Sequence, residues 1–372
     1  MAAITSILLI ALLFYVILIG RYAWIWKNFP EYIPGNKKPA LCFSVIIPFR
    51  NEEAQLTGIL NDLSMQDYPA EITEIILVDD HSHDNSVVIV QEFCSRYAHF
   101  RLVQLPDGKC GKKEALDTGI QTASYDYILT ADADCRAGKQ WLSAMASYCH
   151  DLAPAMVIGM VVTEASGSGF LSYFQQLESI SLAGTGAASA IGGKPIYCSG
   201  ANLCYRKEVY SGIHDPMRKS IASGDDTFLL LQMKTRFRRD IMVLKSKQAL
   251  VTTKAEKQLA GFLKQRSRWI SKSTHYRDWE ILYSAMVVML ANLALLAEAV
   301  LWIAGCQPWL FASMLLTKLL LDGYFIFSLS AFFEIKFRPM AYVVSGIIYP
   351  IYLLIAVSGA FFAPVYWKGR KR

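Results

Sequence analysis

The sequence predicts an α/β protein in which a doubly wound sheet is carried between one N-terminal and about three C-terminal transmembrane helices. Three observations support this. Of the 37 Lys+Arg and 31 Asp+Glu in 372 residues, none falls in residues 1 to 20 and only ten in residues 281 to 372, so the middle of the chain has the charge density of a soluble domain and the ends do not. Each end holds uncharged runs of about 19 residues or more, enough for a helix to cross a ~30 Å hydrocarbon layer. Between the ends, short runs rich in β-branched residues alternate four times with helical periodicity, as expected of strands covered on both faces. This composition excludes a disordered chain, a collagen-like chain and a small secreted scaffold.

The first apolar run, Ala2 to Gly20, is followed by Arg21, Trp24, Trp26 and Lys27 and lacks a basic leader or a small-residue cleavage site, which reads as an uncleaved anchor over residues 1–27. Ile281 to Ile303, Trp309 to Phe333 and Ala341 to Phe362 give three further segments within 281–366. Arg21, Lys27, Lys37 and Lys38, and later Lys336 and Arg338, place the intervening domain (residues 40–275) in the cytoplasm by the positive-inside rule, at the plasma or inner membrane if the source is bacterial. The last segment contains Gly346, Pro350 and Gly359, so a full span and a bent, re-entrant helix both stay open for it. Within the third segment, Lys318 and Asp322 stand four apart and read as a helix-packing ion pair, whereas Glu298 has no partner evident in the sequence.

Eight cysteines show no CxxC and no paired zinc spacing, and they read as reduced thiols. His81 and His83 read as turn residues and not as metal ligands. A net charge of +6, with basic residues set among acidic ones, does not imply nucleic acid as a partner.

The soluble part opens with F-S-V-I-I-P-F from Phe43, a buried strand, and a helical stretch from Glu53 to Gln66 follows. A second strand, Ile75 to Val78, delivers Asp79 and Asp80 at its end, and a helix over 86–97 follows. Arg101 to Gln104, the helical G-K-K-E-A-L-D-T-G-I, and Y-D-Y-I-L-T leading into A-D-A-D complete the alternation. In such folds ligands bind at the carboxyl ends of the strands, where these polar residues collect. No G-x-G-x-x-G and no G-x-x-x-x-G-K-[ST] is present, which removes a dinucleotide fingerprint and a P-loop. Asp132 and Asp134 lie two apart after an apolar strand; extended backbone would put both carboxylates on one face, where hard oxygen donors suit Mg²⁺ or Mn²⁺ better than zinc. A solvated turn after the strand is the plain alternative.

I-I-P-F-R-N-E-E at 46–53, V-D-D-H-S at 78–82, G-K-K-E-A-L at 111–116, D-A-D at 132–134, S-G-D-D at 223–226 and Q-R-S-R-W at 265–269 follow one another in an order that resembles the membrane-embedded family-2 glycosyltransferases, the group of cellulose, chitin and hyaluronan synthases and ceramide glucosyltransferases. The resemblance spans roughly residues 43 to 270 and implies a GT-A-like nucleotide-sugar-binding domain. It further implies Asp79 and Asp80 on the base and ribose, with Pro48, Arg50 and Glu52 from the first motif also lining the nucleotide sugar. Lys112 and Arg268 match positions near the diphosphate, and Asp132 and Asp134 match the metal-binding pair. Lys113 reads as solvated, and the basic run from Lys234 to Arg239 as a solvated or membrane-facing surface. One of Asp79 and Asp80 can instead serve as an Asx cap on the next helix.

The family usually writes Glu-Asp where this chain has Asp225-Asp226. That departure leaves Asp226 as the matching general base and Asp225 as an acceptor-side neighbour, unless the two are merely an N-cap pair. Asn202, Gln265 and Trp269 match acceptor-side positions, and on a helix 265, 268 and 269 share one face; the same Arg-Trp pair ahead of an apolar helix also suits an interfacial anchor. The function so implied is inverting, metal-dependent transfer of a sugar from a nucleotide sugar, UDP by resemblance, to a lipid or glycan acceptor at the membrane. A processive polysaccharide synthase and a catalytically inert, membrane-tethered nucleotide-sugar-binding partner are the alternatives.

Overall fold

A computed structural model describes residues 2–35, 41–221, 224–362, 366–367 and 370–371. Lys37, Lys38 and Ser223, which entered the sequence reading, lie outside the described residues. The chain forms two compact units. It opens with helix α1 (Ala2–Asn28) and then enters the soluble unit, comprising Pro30–Glu164, Ser189–Lys254 and the last seven residues.

There β1 (Phe43–Phe49), α2 (Leu56–Ser64), β2 (Thr73–Asp79), α3 (Ser86–Arg96), β3 (Phe100–Gln104), α4 (Lys112–Thr122) and β4 (Tyr127–Thr130) follow in the expected alternation. The four strands lie parallel in the order β3-β2-β1-β4, so their carboxyl ends share one edge. Every residue of β1 is buried. Phe43, Val45, Ile47 and Phe49 pack with Leu56, Ile59 and Leu60 of α2, Val90 of α3, and Trp141 and Met145 of α5 (Trp141–Leu152). The opposite face is covered by α4, whose Gly119 lies so close to Ile46 and Val78 that a Cβ there would stand 2.5 and 3.0 Å from their methyl groups.

The sheet does not stop at four strands. After β5 (Cys135–Ala137), β6 (Met156–Ile158) and β7 (Val161–Glu164), β8 (Leu203–Arg206) pairs antiparallel with both β4 and β6, and β9 (Ile241–Val243) extends the far edge, giving a mixed seven-stranded sheet. A second sheet of order β5-β10-β7 is completed by β10 (Val251–Lys254). These strands are three or four residues long, too short for a period to stand out from the sequence.

Asn202, just before β8, is fully buried where these strands meet. Its Nδ2 donates to the carbonyls of Met160 (3.0 Å) and Ala249 (2.8 Å), and its Oδ1 accepts from Trp141 Nε1 (3.0 Å). The acceptor-side expectation for Asn202 thus gives way to a structural one: both amide hydrogens and the carbonyl are spent inside the protein. Two lysines read as surface residues are also corrected. Lys113 is buried and donates to the carbonyls of Met217 (2.7 Å) and Arg218 (3.0 Å), and Lys234 of α8 (Asp225–Phe237) donates to that of Pro195 (2.9 Å). Each ammonium satisfies backbone acceptors from a segment distant in sequence, which no local pattern reveals.

The other unit holds α1, most of α6 (Phe170–Ile191), α9 (Leu259–Ser271), α10 (Trp279–Ile303), α11 (Pro308–Phe332) and α12 (Pro339–Phe362); the short α7 (Lys207–Ser211) belongs to the soluble unit. Four of these helices, α1, α10, α11 and α12, are long and apolar enough to cross a membrane. They leave large apolar side chains such as Ile7, Leu13, Leu290, Leu320 and Ile351 exposed, a surface suited to lipid. α12 runs unbroken through Pro350. Lys318 and Asp322 pair at 2.5 Å as expected, and Tyr15 of α1 also donates to Asp322 at 2.7 Å, tying two helices through one carboxylate. Glu298 is fully buried, and neither of its side-chain oxygens has a hydrogen-bond partner.

Replacing Asn202 by Ala strips partners from three buried polar groups and is expected to cost roughly 2–4 kcal/mol. The detergent-solubilised variant should therefore melt several degrees below the wild type in a fluorescence-monitored thermal scan; an unchanged melting temperature would contradict the pinning role.

Candidate active site

The carboxyl edge of β2, β1 and β4 is organised first by two interlocked loops. Leaving β1, Arg50 is buried and its guanidinium donates to the carbonyls of Asp80 and of His81, the latter at 2.9 Å. Asn51 Oδ1 accepts from the His83 amide (2.8 Å), the Glu52 amide donates to Ser86 Oγ (2.8 Å), and Glu53 Oε2 accepts from the amide and side chain of Asn85 (3.1 and 3.0 Å). Asn51 and His81 both take a left-handed backbone, which lets each loop turn sharply at the end of its strand. His81 is thus a turn residue, its Nε2 against the Lys109 carbonyl at 2.9 Å. Asp79 and Asp80 are buried, and Asp79 Oδ1 accepts from the Ser82 amide at 2.9 Å, capping the turn before α3 and not the helix itself, which starts at Ser86. Pro48 sits within β1, opposite Val78. The first two motifs therefore form one rigid edge.

Next to it, β4 delivers Asp132 and Asp134. The segment is not extended as expected: residues 133 and 134 form a turn closed by the Cys135 amide on the Asp132 carbonyl (3.1 Å). The turn still converges the donors, and carboxylate oxygens of Asp132 and Asp134 and the Cys135 sulfur all lie within 4.8 Å of one another. Burial, then Asp132 and Asp134, pushes the Cys135 thiol well above its ordinary value, and a soft sulfur is the donor least suited to a hard cation. The donor set that remains is two hard carboxylates, which fits Mg²⁺ or Mn²⁺.

Lys112, at the first position of α4, bridges two of the motifs. Its Nζ stands 2.6 Å from Asp132 Oδ1 and 3.4 Å from Asp225 Oδ2. Burial works against the ammonium, but the Asp132 and Asp225 carboxylates outweigh it and hold Lys112 above the usual lysine value, so it is charged at any physiological pH. Asp225 and Asp226 open α8 behind Gly224, which takes a left-handed backbone. Asp226 Oδ1 accepts from the Thr227 amide (2.6 Å), and its Oδ2 faces the Gly200 amide (3.4 Å). Gly200 makes this closeness feasible: a Cβ there would lie 3.2 Å from Asp225 Oδ2 and 3.5 Å from the Cβ of Asp226. Asp225 thus pairs with Lys112, a contact that the sequence did not reveal.

Within the other unit, Gln265, Arg268 and Trp269 lie on α9 as expected, but the side chain most tightly built in is one the sequence reading passed over. Arg266 is buried; its Nε and Nη2 reach Glu178 of α6 at 2.6 and 2.5 Å, it donates to Gln265 Oε1, and its guanidinium lies 4.2 Å from the centre of the Trp269 ring. Tyr352 of α12 donates to the same Glu178. Gln265 and Trp269 are therefore held by an ion pair whose acidic member lies 88 residues earlier. A glutamate within an otherwise apolar aromatic stretch, L-S-Y-F-Q-Q-L-E-S, was the available signal.

Comparison with known proteins bears on the fold and the domain. Residues 44–213 match the family Glycosyl transferase family 2. An N-acetylglucosaminyltransferase of Rhizobium meliloti is 28% identical over 255 residues, 66% of this chain and 58% of that protein. One of Bradyrhizobium diazoefficiens is 26% identical over 292 residues, 71% of this chain and 59% of that protein. The chain thus spans less than two thirds of the length of either relative. Among solved structures, a mannosyltransferase of Pyrobaculum calidifontis, in complex with GDP-Man and Mn²⁺, superposes with a TM-score of 0.60 at 17% identity, covering 96% of this chain and 99% of that one. Residues 44–213 are thus similar to the glycosyl transferase family 2 domain, and the chain has a GT-A-like mixed α/β fold.

Proposed function

We propose that the protein is a membrane-bound, inverting glycosyltransferase that moves a sugar from a nucleotide sugar to a lipid or glycan acceptor. The observation that carries this is the convergence of Asp132 and Asp225 on Lys112, with Asp226 against the Gly200 amide, at the same strand edge as Arg50, Asp79 and Asp80. One cation and several carboxylates gathered at a strand edge suit a reaction that must both hold a diphosphate and remove a proton.

In this reading Asp79 and Asp80 accept hydrogen bonds from the base and ribose, and Pro48, Arg50 and Glu52 shape that pocket. Asp226 takes the proton from an acceptor hydroxyl while its oxygen attacks the anomeric carbon from the face opposite the departing group. The bond from that carbon to the phosphate oxygen breaks, its electron pair leaves with the nucleoside diphosphate, and the anomeric configuration inverts. Lys112 places a fixed positive charge beside the leaving diphosphate. Asp132 and Asp134 would hold Mg²⁺ or Mn²⁺, which when bound supplies further charge neutralisation for the diphosphate. The donor and acceptor roles that resemblance gives Arg268, Gln265 and Trp269 belong to the same proposal. UDP is the nucleotide that the family resemblance implies. The names of the two rhizobial relatives make an N-acetylglucosamine donor the first to test, with GDP-mannose as the comparison.

The membrane reading adds that α1, α10, α11 and α12 span the bilayer with Arg21, Lys27, Lys336 and Arg338 on the cytoplasmic side, where residues 40–275 act as the catalytic domain and 1–27 and 281–366 as its anchors.

Nucleoside diphosphate release by the detergent-solubilised protein, with a panel of nucleotide sugars and Mg²⁺ or Mn²⁺, tests the chemistry. Asp226→Asn is expected to lower turnover at least ~100-fold, and Asp134→Ala to abolish the dependence on added metal along with most turnover. Full activity in either variant would sink the assigned roles. Gly200→Ala pushes a methyl against the Asp225 carboxylate and should cost roughly tenfold in kcat with little change in melting temperature; a wild-type rate would show that the close approach is dispensable. Topology is tested with variants that retain one cysteine each: in intact cells a membrane-impermeant maleimide should label Cys306, between α10 and α11, and spare the exposed Cys110 until the cells are permeabilised. The reverse pattern would invert the orientation.

A further inference from the structure

A cavity of about 380 Å³ opens between α1 and α11; Gly20 and Ala23 form its floor, Leu321 and Tyr324 its far wall, and Trp24 and Lys27 its rim. We propose that it is a binding site for a phospholipid with an anionic headgroup, the phosphate against Lys27 and the start of an acyl chain over Gly20 and Leu321. The inference rests on the reading that α1 and α11 cross a bilayer, and is independent of the sugar-transfer chemistry.

Depth is the first argument. Gly20 ends the uncharged run of α1 and Arg21 is the first charge, so Gly20 marks the edge of the hydrocarbon layer. Lys27 lies seven residues further on, about 10 Å along the helix axis at the usual rise. The cavity therefore runs from the edge of the acyl layer into the headgroup layer, the path a lipid itself takes. A small soluble anion has use for the Lys27 end alone, and gives no reason for an apolar floor leading away from it.

Space is the second. A Cβ on Gly20 would meet nothing within 4 Å, so the floor is open at the depth where a chain would lie. Trp24 is 67% and Tyr324 48% exposed, so two amphipathic rings flank the opening without protein cover.

Charge decides the headgroup. Lys27 Nζ lies 5.7 Å from the centre of the Tyr324 ring, and among the described residues no carboxylate pairs with Lys27 or with Arg21, two turns before it. The acid next to the cavity wall, Asp322, is already engaged by Lys318 at 2.5 Å and by Tyr15 at 2.7 Å. Asn28 caps the rim by donating to the Trp24 carbonyl at 2.8 Å and brings no charge. Lys27 is the one charged side chain among the lining residues, so a headgroup of net negative charge is favoured over a zwitterionic one of equal size.

The full chain, purified in detergent, is titrated with phosphatidylglycerol and separately with phosphatidylcholine, and bound lipids are counted by native mass spectrometry. The wild type is expected to retain one phosphatidylglycerol in clear preference to phosphatidylcholine. Lys27→Gln should weaken phosphatidylglycerol about fivefold, the worth of one interfacial lysine, and leave phosphatidylcholine unchanged. Lys27→Arg should bind as the wild type does. Gly20→Leu fills open space and improves helix propensity, so it should fold normally, and it should empty the site of both lipids. Soluble glycerol phosphate should not compete. Equal binding of the two lipids by the wild type, or wild-type binding by both Lys27→Gln and Gly20→Leu, would overturn the proposal; competition by glycerol phosphate would reassign the site to a soluble phosphate. The cysteine-labelling topology separately reports whether the membrane reading on which the proposal rests has failed.

Discussion

The Lys112 ammonium is the constraint on which the catalytic edge depends. It pairs with both Asp132 and Asp225, two acids that would otherwise repel each other, and Asp225 and Asp226 both stand beside Gly200. With it, the end of β4 and the start of α8 are drawn together although 92 residues lie between Asp132 and Asp225. Charge pairing here positions groups more than it adds stability, because Lys112 remains partly open to solvent and its attraction to each acid is screened accordingly.

The same logic operates through neutral groups at the neighbouring loops. Arg50 gives its guanidinium to main-chain carbonyls of the β2 loop, and the motif residues after it spend their amides and side chains on Ser82, Asp84, Asn85 and Ser86. A strand edge built this way is fixed before any ligand arrives, which lowers the ordering cost of binding. Asn202 plays the corresponding part beneath the sheet, and α4 presses against β1 through the one residue without a side chain. The site is stiff because the segments that present it have used their polar groups on each other.

In the apolar unit the polar side chains are few and shared. Asp322 joins α1 to α11 by taking both Lys318 and Tyr15, and Glu178 joins α6, α9 and α12 by taking both Arg266 and Tyr352. Away from water an unpaired acid is costly, so a carboxylate with two donors from different helices fixes their mutual rotation better than apolar packing, which tolerates sliding. Glu298, buried without a partner for either oxygen, stands outside that pattern.

Much of this was legible in the sequence. Buried parallel strands announce themselves as runs such as F-S-V-I-I-P-F, the apolar helices by length, and the ends of the strands by the acids and glycines that follow them, because each is a local property of consecutive residues. Lys318 and Asp322 could be paired because a helix fixes four-residue spacing. What only the tertiary structure decided was every pairing across distance: Asp225 with Lys112, Lys113 with the carbonyls at 217 and 218, Arg266 with Glu178, and the three short strands that turn a parallel sheet into a mixed one. Adjacent residues such as Lys112 and Lys113, or Arg266 and Arg268, are chemically alike and locally indistinguishable. Which of them faces a carboxylate, a buried carbonyl or the outside follows from the rotation of their helix against a partner far away in the chain, and that rotation is set by packing, which the local pattern does not encode.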